Sequence, residues 1–131
     1  MRIVWIMCLS LLAGCAHQEL SERGALVSSL FEQHGFIQRL VITDHFNLRV
    51  WQHSTSDAGT MHVYIEGDGF AWVNRYQPSM NPTPLNSIVP AMAVKDDVAS
   101  QVVYLARPCQ YVSFAERACS SAYWMQKRFA P

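Results

Sequence analysis

The chain has 131 residues, half of them hydrophobic and 15% charged. That bounds it to one domain able to form a core and excludes a disordered polymer. Its ten basic and ten acidic residues cancel, with no basic run, which argues against a nucleic-acid partner bound by phosphate neutralisation.

In chain order, the first element is an address. Arg2 gives a positive start, Ile3 to Leu12 is an apolar run broken only by Ser10, and Leu12-Ala13-Gly14-Cys15 closes it. The run is too short to span a bilayer stably but suits the apolar region of a signal peptide, and nothing after Cys15 is apolar for long enough to span one. Small residues at Ala13 and Gly14 would let a peptidase reach the backbone. The tetrapeptide resembles the lipobox of bacterial lipoproteins. That resemblance implies removal of residues 1–14, a diacylglyceryl group on the Cys15 thiol, and an acylated new amino terminus. Burial of acyl chains contributes about 0.8 kcal/mol per methylene, so several chains anchor durably where one does not. The competing reading is an ordinary cleaved signal with an incidental cysteine. Ala16, where an Asp commonly means inner-membrane retention, implies the periplasmic face of the outer membrane. Loss of Arg2 leaves nine basic and ten acidic residues, or −1.

Residues 15–35 then read as a tether and an N-terminal helix, the helix over Ser21 to His34. Ser21 can cap it, Val27, Leu30, Phe31 and His34 recur at helical spacing, and Gly35 suits the left-handed residue after the last turn. Residues 36–131 form the domain. Phe36 to Thr43 is rich in branched residues, and Phe46, Leu48 and Val50 alternate with Asn47, Arg49 and Trp51. Asp44 and His45 link these two strands as an antiparallel hairpin. A polar loop, Ser54 to Gly59, precedes a more central third strand, Met61 to Ile65. An irregular stretch with Pro78, Pro82 and Pro84 leads to a helix over Leu85 to Lys95, with Pro90 near its first turn. Gln101 to Ala106 is the fourth strand, and Phe114 to Phe129 reads as a last helix with Ala115, Cys119, Ala122 and Tyr123 along one side. A hairpin followed by strand, helix, strand, helix means an α/β fold with a mixed sheet.

Of four cysteines, Cys8 leaves with the signal and Cys15 carries lipid, leaving Cys109 and Cys119. An even pair in an oxidising compartment predicts a disulfide, closing a short loop at a gain of about 3 kcal/mol. The alternative is two buried free thiols. Two cysteines without a nearby histidine do not make a zinc site.

The third strand ends in Glu66-Gly67-Asp68-Gly69. Two glycines around one residue permit positive φ and close backbone approach, and such a turn can present N–H groups to an anion. By itself the tripeptide favours the plainer reading, a tight turn without a ligand. It is no dinucleotide fingerprint, because Trp72 stands where the third glycine would fall, and no cofactor is expected. The stretches VYIEGDGFAW (Val63 to Trp72), Asn81-Pro82-Thr83-Pro84, VVYLARPCQY (Val102 to Tyr111) and YWMQKRF (Tyr123 to Phe129) resemble, in that order and spacing, a family of bacterial lipoproteins with an α/β-hydrolase fold. The resemblance runs from Phe36 to Phe129. It implies ester or related acyl hydrolysis, with Gly67, Asp68, Gly69 and Phe70 as the oxyanion turn and the N–H of Gly69 or Phe70 as donor.

The departure is in the catalytic set. The chain holds no G-x-S-x-G, no glycine after Gly69 and no histidine after His62, whereas an α/β-hydrolase needs a nucleophile elbow and then an acid and a histidine. The five histidines, scattered at His17, His34, His45, His53 and His62, read as structural or surface residues. The aromatics Trp72, Tyr76, Tyr111 and Trp124 read as core and loop packing. The resulting expectation is the front part of a hydrolase domain, cut before its nucleophile, membrane-anchored through Cys15 and inactive alone. In the family sheet the third strand lies between the fourth and the nucleophile strand, so Met61 to Ile65 would be an open edge inviting self-association. A non-catalytic envelope module that keeps the turn for shape is the alternative. A metal-dependent binder using Glu66, Asp68, Asp96 and Asp97 is a third; no metal site is expected.

Overall fold

The computed structural model describes residues 14–112 and 119–128, with side chains from residue 22 onward. Residues 1–13 of the expected signal, and residues 114–118 and 129 of the expected last helix, lie outside the described residues.

Helix α1 (Gly14–Gln33) begins seven residues before Ser21, taking in the stretch expected as tether. Neither proline nor glycine interrupts the sequence from Cys15 to Arg23, so nothing local stops a helix there. Its C-terminal end is closed as expected. Gly35 has φ +75°, its N–H donates to Glu32 O, and the Phe36 N–H donates to Phe31 O. The Phe31 and Phe36 rings pack at 4.9 Å. This paired closure with its apolar contact is what a left-handed glycine after a helix provides.

Strands β1 (Ile37–Ile42) and β2 (Asn47–Ser54) form the expected antiparallel hairpin, with Val41 opposite Leu48. At the link, Thr43 Oγ1 accepts the Phe46 N–H at 2.9 Å. Strand β3 (Met61–Ile65) matches its expected bounds. A short hairpin of β4 (Trp72–Asn74) and β5 (Gln77–Pro78) interrupts the stretch expected to be irregular. Asn74 Oδ1 nucleates it by accepting the N–H groups of Tyr76 and Gln77. Helix α2 is confined to Ile88–Ala93, with Pro90 in its first turn, and β6 covers Gln101–Leu105.

The main sheet has the order β1-β2-β6-β3. β2 runs antiparallel to β6, and β3 runs parallel to β6 with Val63 opposite Val103. One face carries the core. Trp51, Val102, Tyr104 and Ala106 on the sheet pack with Val27 and Phe31 of α1 and Ala93 of α2. Phe31 stacks on Trp51 with ring centroids 5.1 Å apart. The opposite face is open. Met61, Val63 and Ile65 are 51%, 49% and 63% exposed, and Ile37 is 60% exposed.

The last segment corrects the expectation of a helix over Phe114 to Phe129. Ser120 is extended, a 3-10 turn covers Ser121–Trp124, and Met125 leaves helical geometry. Two ties hold this path. Cys119 is bonded to Cys109, with their Cα atoms 5.5 Å apart, and the buried Trp124 indole donates to Ser79 O at 3.2 Å. Among the four aromatics read as packing, Tyr111 and Trp124 do turn inward. Trp72 and Tyr76 instead stand exposed on the β4–β5 hairpin.

Candidate functional site

Because β3 and β6 are parallel neighbours, their carboxyl ends reach the same edge of the sheet, the place where open α/β sheets bind ligands. β3 runs into Glu66-Gly67-Asp68-Gly69-Phe70, and β6 into Ala106 to Tyr111. The two continuations meet through Gln110, whose side chain is 1% exposed. Its amide donates to Gly67 O at 2.9 Å and its Oε1 accepts the Arg107 N–H at 3.0 Å.

Gly69 has φ +62°, and a Cβ there would collide with Pro82 O and approach Gln110 Nε2 to 2.8 Å. Two N–H groups of the turn are already engaged. Phe70 N–H donates to Pro82 O at 3.0 Å, and Gly67 N–H donates to Glu66 Oε1 at 3.0 Å. No acceptor among the described residues meets the N–H of Asp68 or of Gly69. Of the two donors expected at the turn, Phe70 is therefore occupied and Gly69 is left.

The loop after β6 is held under strain. Cys109 and Tyr111 adopt φ +70° and +56°, each costing on the order of 1–3 kcal/mol for a residue with a Cβ. The loop is pinned by the disulfide, by Gln110, and by the Tyr111 N–H donating to Thr83 Oγ1 at 2.9 Å. Arg23 of α1 backs the same region, its guanidinium 5.5 Å from the centre of the Phe70 ring.

Between the glycine turn, this loop and the 3-10 segment lies a cleft of about 270 Å³. Asp68 is its hub. One carboxylate oxygen accepts from Arg107 and the other from Arg128, the latter at 2.8 Å. Lys127 and His45 also line the cleft, with Phe46, Tyr123, Trp124 and prolines as apolar wall. Phe46 and Tyr123 meet edge to face at 4.8 Å.

The four carboxylates considered for a cation are kept apart. Glu66 is buried, and accepts from the Tyr104 hydroxyl at 2.5 Å. Asp68 is in the cleft. Asp96 follows α2 and meets the side chains of β3, 2.5 Å from His62 Nδ1 and accepting from the Tyr64 hydroxyl at 2.8 Å, and Asp97 is exposed. Among the described residues no three or more His, Cys, Asp or Glu side chains gather to hold a metal, so the metal-dependent reading loses its ligand set. Burial pushes the Tyr104 hydroxyl far above the ordinary tyrosine range and lifts Tyr111 to about 12, so both are neutral donors at physiological pH.

The glycine turn and the cysteine pair were singled out by sequence reasoning; Asp68 of the turn lines the cleft, and the disulfide ties together the two segments that supply Pro108, Gln110 and Tyr123 to its wall. Arg107, Gln110, Thr83, Lys127 and Arg128 were not singled out. No spacing rule marks them, because their meeting depends on the disulfide and on left-handed backbone at Cys109 and Tyr111.

These features define a mixed α/β protein with a cleft at the carboxyl ends of a parallel strand pair. Compared with known protein families, with curated proteins and with solved structures, the chain matches none. Among the described residues no helix is long and apolar enough to cross a membrane.

Proposed function

We propose that the protein is a lipid-anchored envelope protein, on the periplasmic face of the outer membrane, whose domain uses the front part of an α/β-hydrolase-type sheet and does not turn over substrate alone. One observation carries the hydrolase reading. β3 lies parallel beside β6, enters the Gly67-Asp68-Gly69 turn at the cleft, and has no strand on its other side among the described residues, which is where the family resemblance puts the nucleophile strand. The lack of turnover rests on the absence of G-x-S-x-G and on a cleft whose described lining has no Ser, Thr or Cys.

A second reading, a binding module without chemistry, is favoured by the engaged Phe70 N–H and by the clamped Asp68. Incubation with p-nitrophenyl acetate and butyrate separates catalysis from both readings. The expected rate equals that of a heat-denatured control. Turnover above that control, abolished by a fluorophosphonate, would reveal a serine nucleophile and overturn the inactive assignment.

Anchoring rests on Leu12-Ala13-Gly14-Cys15. In a Gram-negative host the chain is expected in the membrane fraction, and Cys15→Ser is expected to release it or to leave it unprocessed. A variant that is cleaved like the parent and yet stays equally in the membrane fraction removes the lipoprotein assignment.

A further inference from the structure

We propose that the β4–β5 hairpin inserts its aromatic side chains into the headgroup layer of an anionic phospholipid membrane, and so holds the domain on the bilayer in one orientation. The inference rests on the lipid-anchored reading and adds a second membrane contact to the one at Cys15.

The hairpin projects from a fixed base. All three residues of β4, Trp72–Asn74, are exposed, so neither face of this ribbon is covered by the core. A two-stranded ribbon is marginal by itself, and this one is held at both ends. At the base, the Ser79 N–H donates to Ala71 O at 2.9 Å, both residues are buried, and Ser79 O accepts from the Trp124 indole. At the turn, Asn74 Oδ1 accepts the two N–H groups of Tyr76 and Gln77.

What the hairpin presents is apolar and aromatic. Trp72 and Val73 are about half exposed, and Tyr76 and Met80 are 81% and 73% exposed. Tryptophan and tyrosine join an apolar ring to one polar group, which suits the boundary between headgroups and acyl chains. The charge of the segment fits an anionic surface. Residues 69–95 contain no aspartate or glutamate, in a chain that has ten. Arg75, at the turn, lies with its guanidinium 5.2 Å from the centre of the Tyr76 ring, and no carboxylate among the described residues pairs with it. An arginine beside an aromatic ring can meet a lipid phosphate while the ring goes below it.

The anchor emerges on the same side of the domain. Arg23 of α1 donates to Thr83 O at 3.3 Å and lies over the Phe70 ring, and these two residues flank the hairpin in sequence. From Arg23 the helix continues back to Cys15, a rise of about 12 Å at 1.5 Å per residue. Phe31, toward its other end, packs on Trp51 and Tyr104 of the sheet. The Cys15 end therefore extends past the edge of the sheet from which the hairpin leaves, and acyl chains and aromatic rings reach one surface.

The test is tryptophan fluorescence of the full-length chain, purified in detergent and reconstituted into phosphatidylethanolamine–phosphatidylglycerol vesicles that contain brominated lipid. After Cys15 the chain has three tryptophans, and Trp51 and Trp124 are buried, so Trp72 is the one lipid can reach. Trp72→Phe serves as the blank, and its subtraction also removes any signal from Trp5 of an unprocessed chain. Bromines near the headgroup end of the acyl chain are expected to quench the Trp72 component about twofold more than bromines near the terminal methyl, as for a group seated at the interface. Arg75→Glu, and replacement of phosphatidylglycerol by phosphatidylcholine, are each expected to reduce that quenching about twofold. Far-ultraviolet circular dichroism guards against loss of fold; if Trp72→Phe unfolds, Arg75→Glu against the parent decides. Mass spectrometry of the amino-terminal peptide reads acylation separately. An acylated chain whose Trp72 is not quenched overturns the hairpin contact and leaves the anchor standing. Quenched Trp72 in a chain without acyl groups overturns the anchor and leaves the hairpin as the membrane contact. Quenching unchanged by Arg75→Glu and by removal of phosphatidylglycerol overturns the anionic headgroup as the partner.

Discussion

At Gly69 three constraints coincide. Its φ of +62° lies where a Cβ is disfavoured, Pro82 O occupies the space a Cβ would need, and the neighbouring Phe70 N–H bonds that same carbonyl. Gly69→Ala should therefore destabilise the fold by about 2 kcal/mol or more, through strain and overlap together. Urea melts should show a lower midpoint; a midpoint within error of the parent would mean that the turn relaxes freely. Asp96 gives a second test at this scale. Its bond with His62 first, then the backbone N–H of Ala99, with Tyr64 and Val98 adding, hold its carboxyl well below the usual range. A carboxylate with a depressed folded-state value stabilises fully above its unfolded value of about 3.9, and that contribution is lost as pH falls through the folded value. Acid unfolding should thus steepen below about pH 4, and Asp96→Asn should flatten that limb while lowering the midpoint at neutral pH. An unchanged acid limb would remove Asp96 as a determinant.

At the scale of elements, β1, β2, β3 and β6 and the end of α1 were legible because local rules decide them. Alternation marked the hairpin, Met61 to Ile65 was apolar save for His62, and Gly35 had the one conformation that closes a helix cheaply; the central place expected for that third strand is corrected, since β3 is an edge strand among the described residues. The last element was not legible. Ala115, Cys119, Ala122 and Tyr123 have helical spacing, yet Ser120 is extended and the turn after it is 3-10. Tertiary ties outweighed propensity there: the Cys109–Cys119 bond and the Trp124 indole on Ser79 O. The cleft was illegible for the same reason, since Arg107 and Arg128 reach Asp68 across 39 and 60 residues of sequence. The disulfide joins the two segments that line it. Cys109→Ser with Cys119→Ser should cost about 3 kcal/mol. It should also raise hydrogen exchange at Trp124 to Arg128 before the sheet opens. Exchange rising uniformly across the chain would show that the bond supports the whole domain equally.

For the whole molecule, the two faces of the sheet are unequal. The face under α1 is sealed by Phe31, Trp51 and Tyr104, each at most 1% exposed. The other presents Met61, Val63, Ile65, Ile37 and Val41, all at least 43% exposed. β3, which carries three of these, is also an edge strand of the sheet, with neither lysine nor proline to discourage pairing. An apolar face that continues onto an unblocked edge is a template for association with other chains. A lipid anchor would hold such a surface at the membrane, at low freedom of encounter; a form made without residues 1–15 loses that restraint. That form should therefore self-associate at micromolar concentration. Val63→Lys puts a charge in the middle of the exposed row, where its neighbour on the sheet is Val103, and leaves the covered face untouched. Sedimentation velocity should show the parent as dimer or larger and Val63→Lys shifted toward monomer, with the same far-ultraviolet circular dichroism. A parent that stays monomeric, with amides of Met61 to Ile65 protected as strongly as those of Gln101 to Leu105, would mean that the edge is closed within the chain itself.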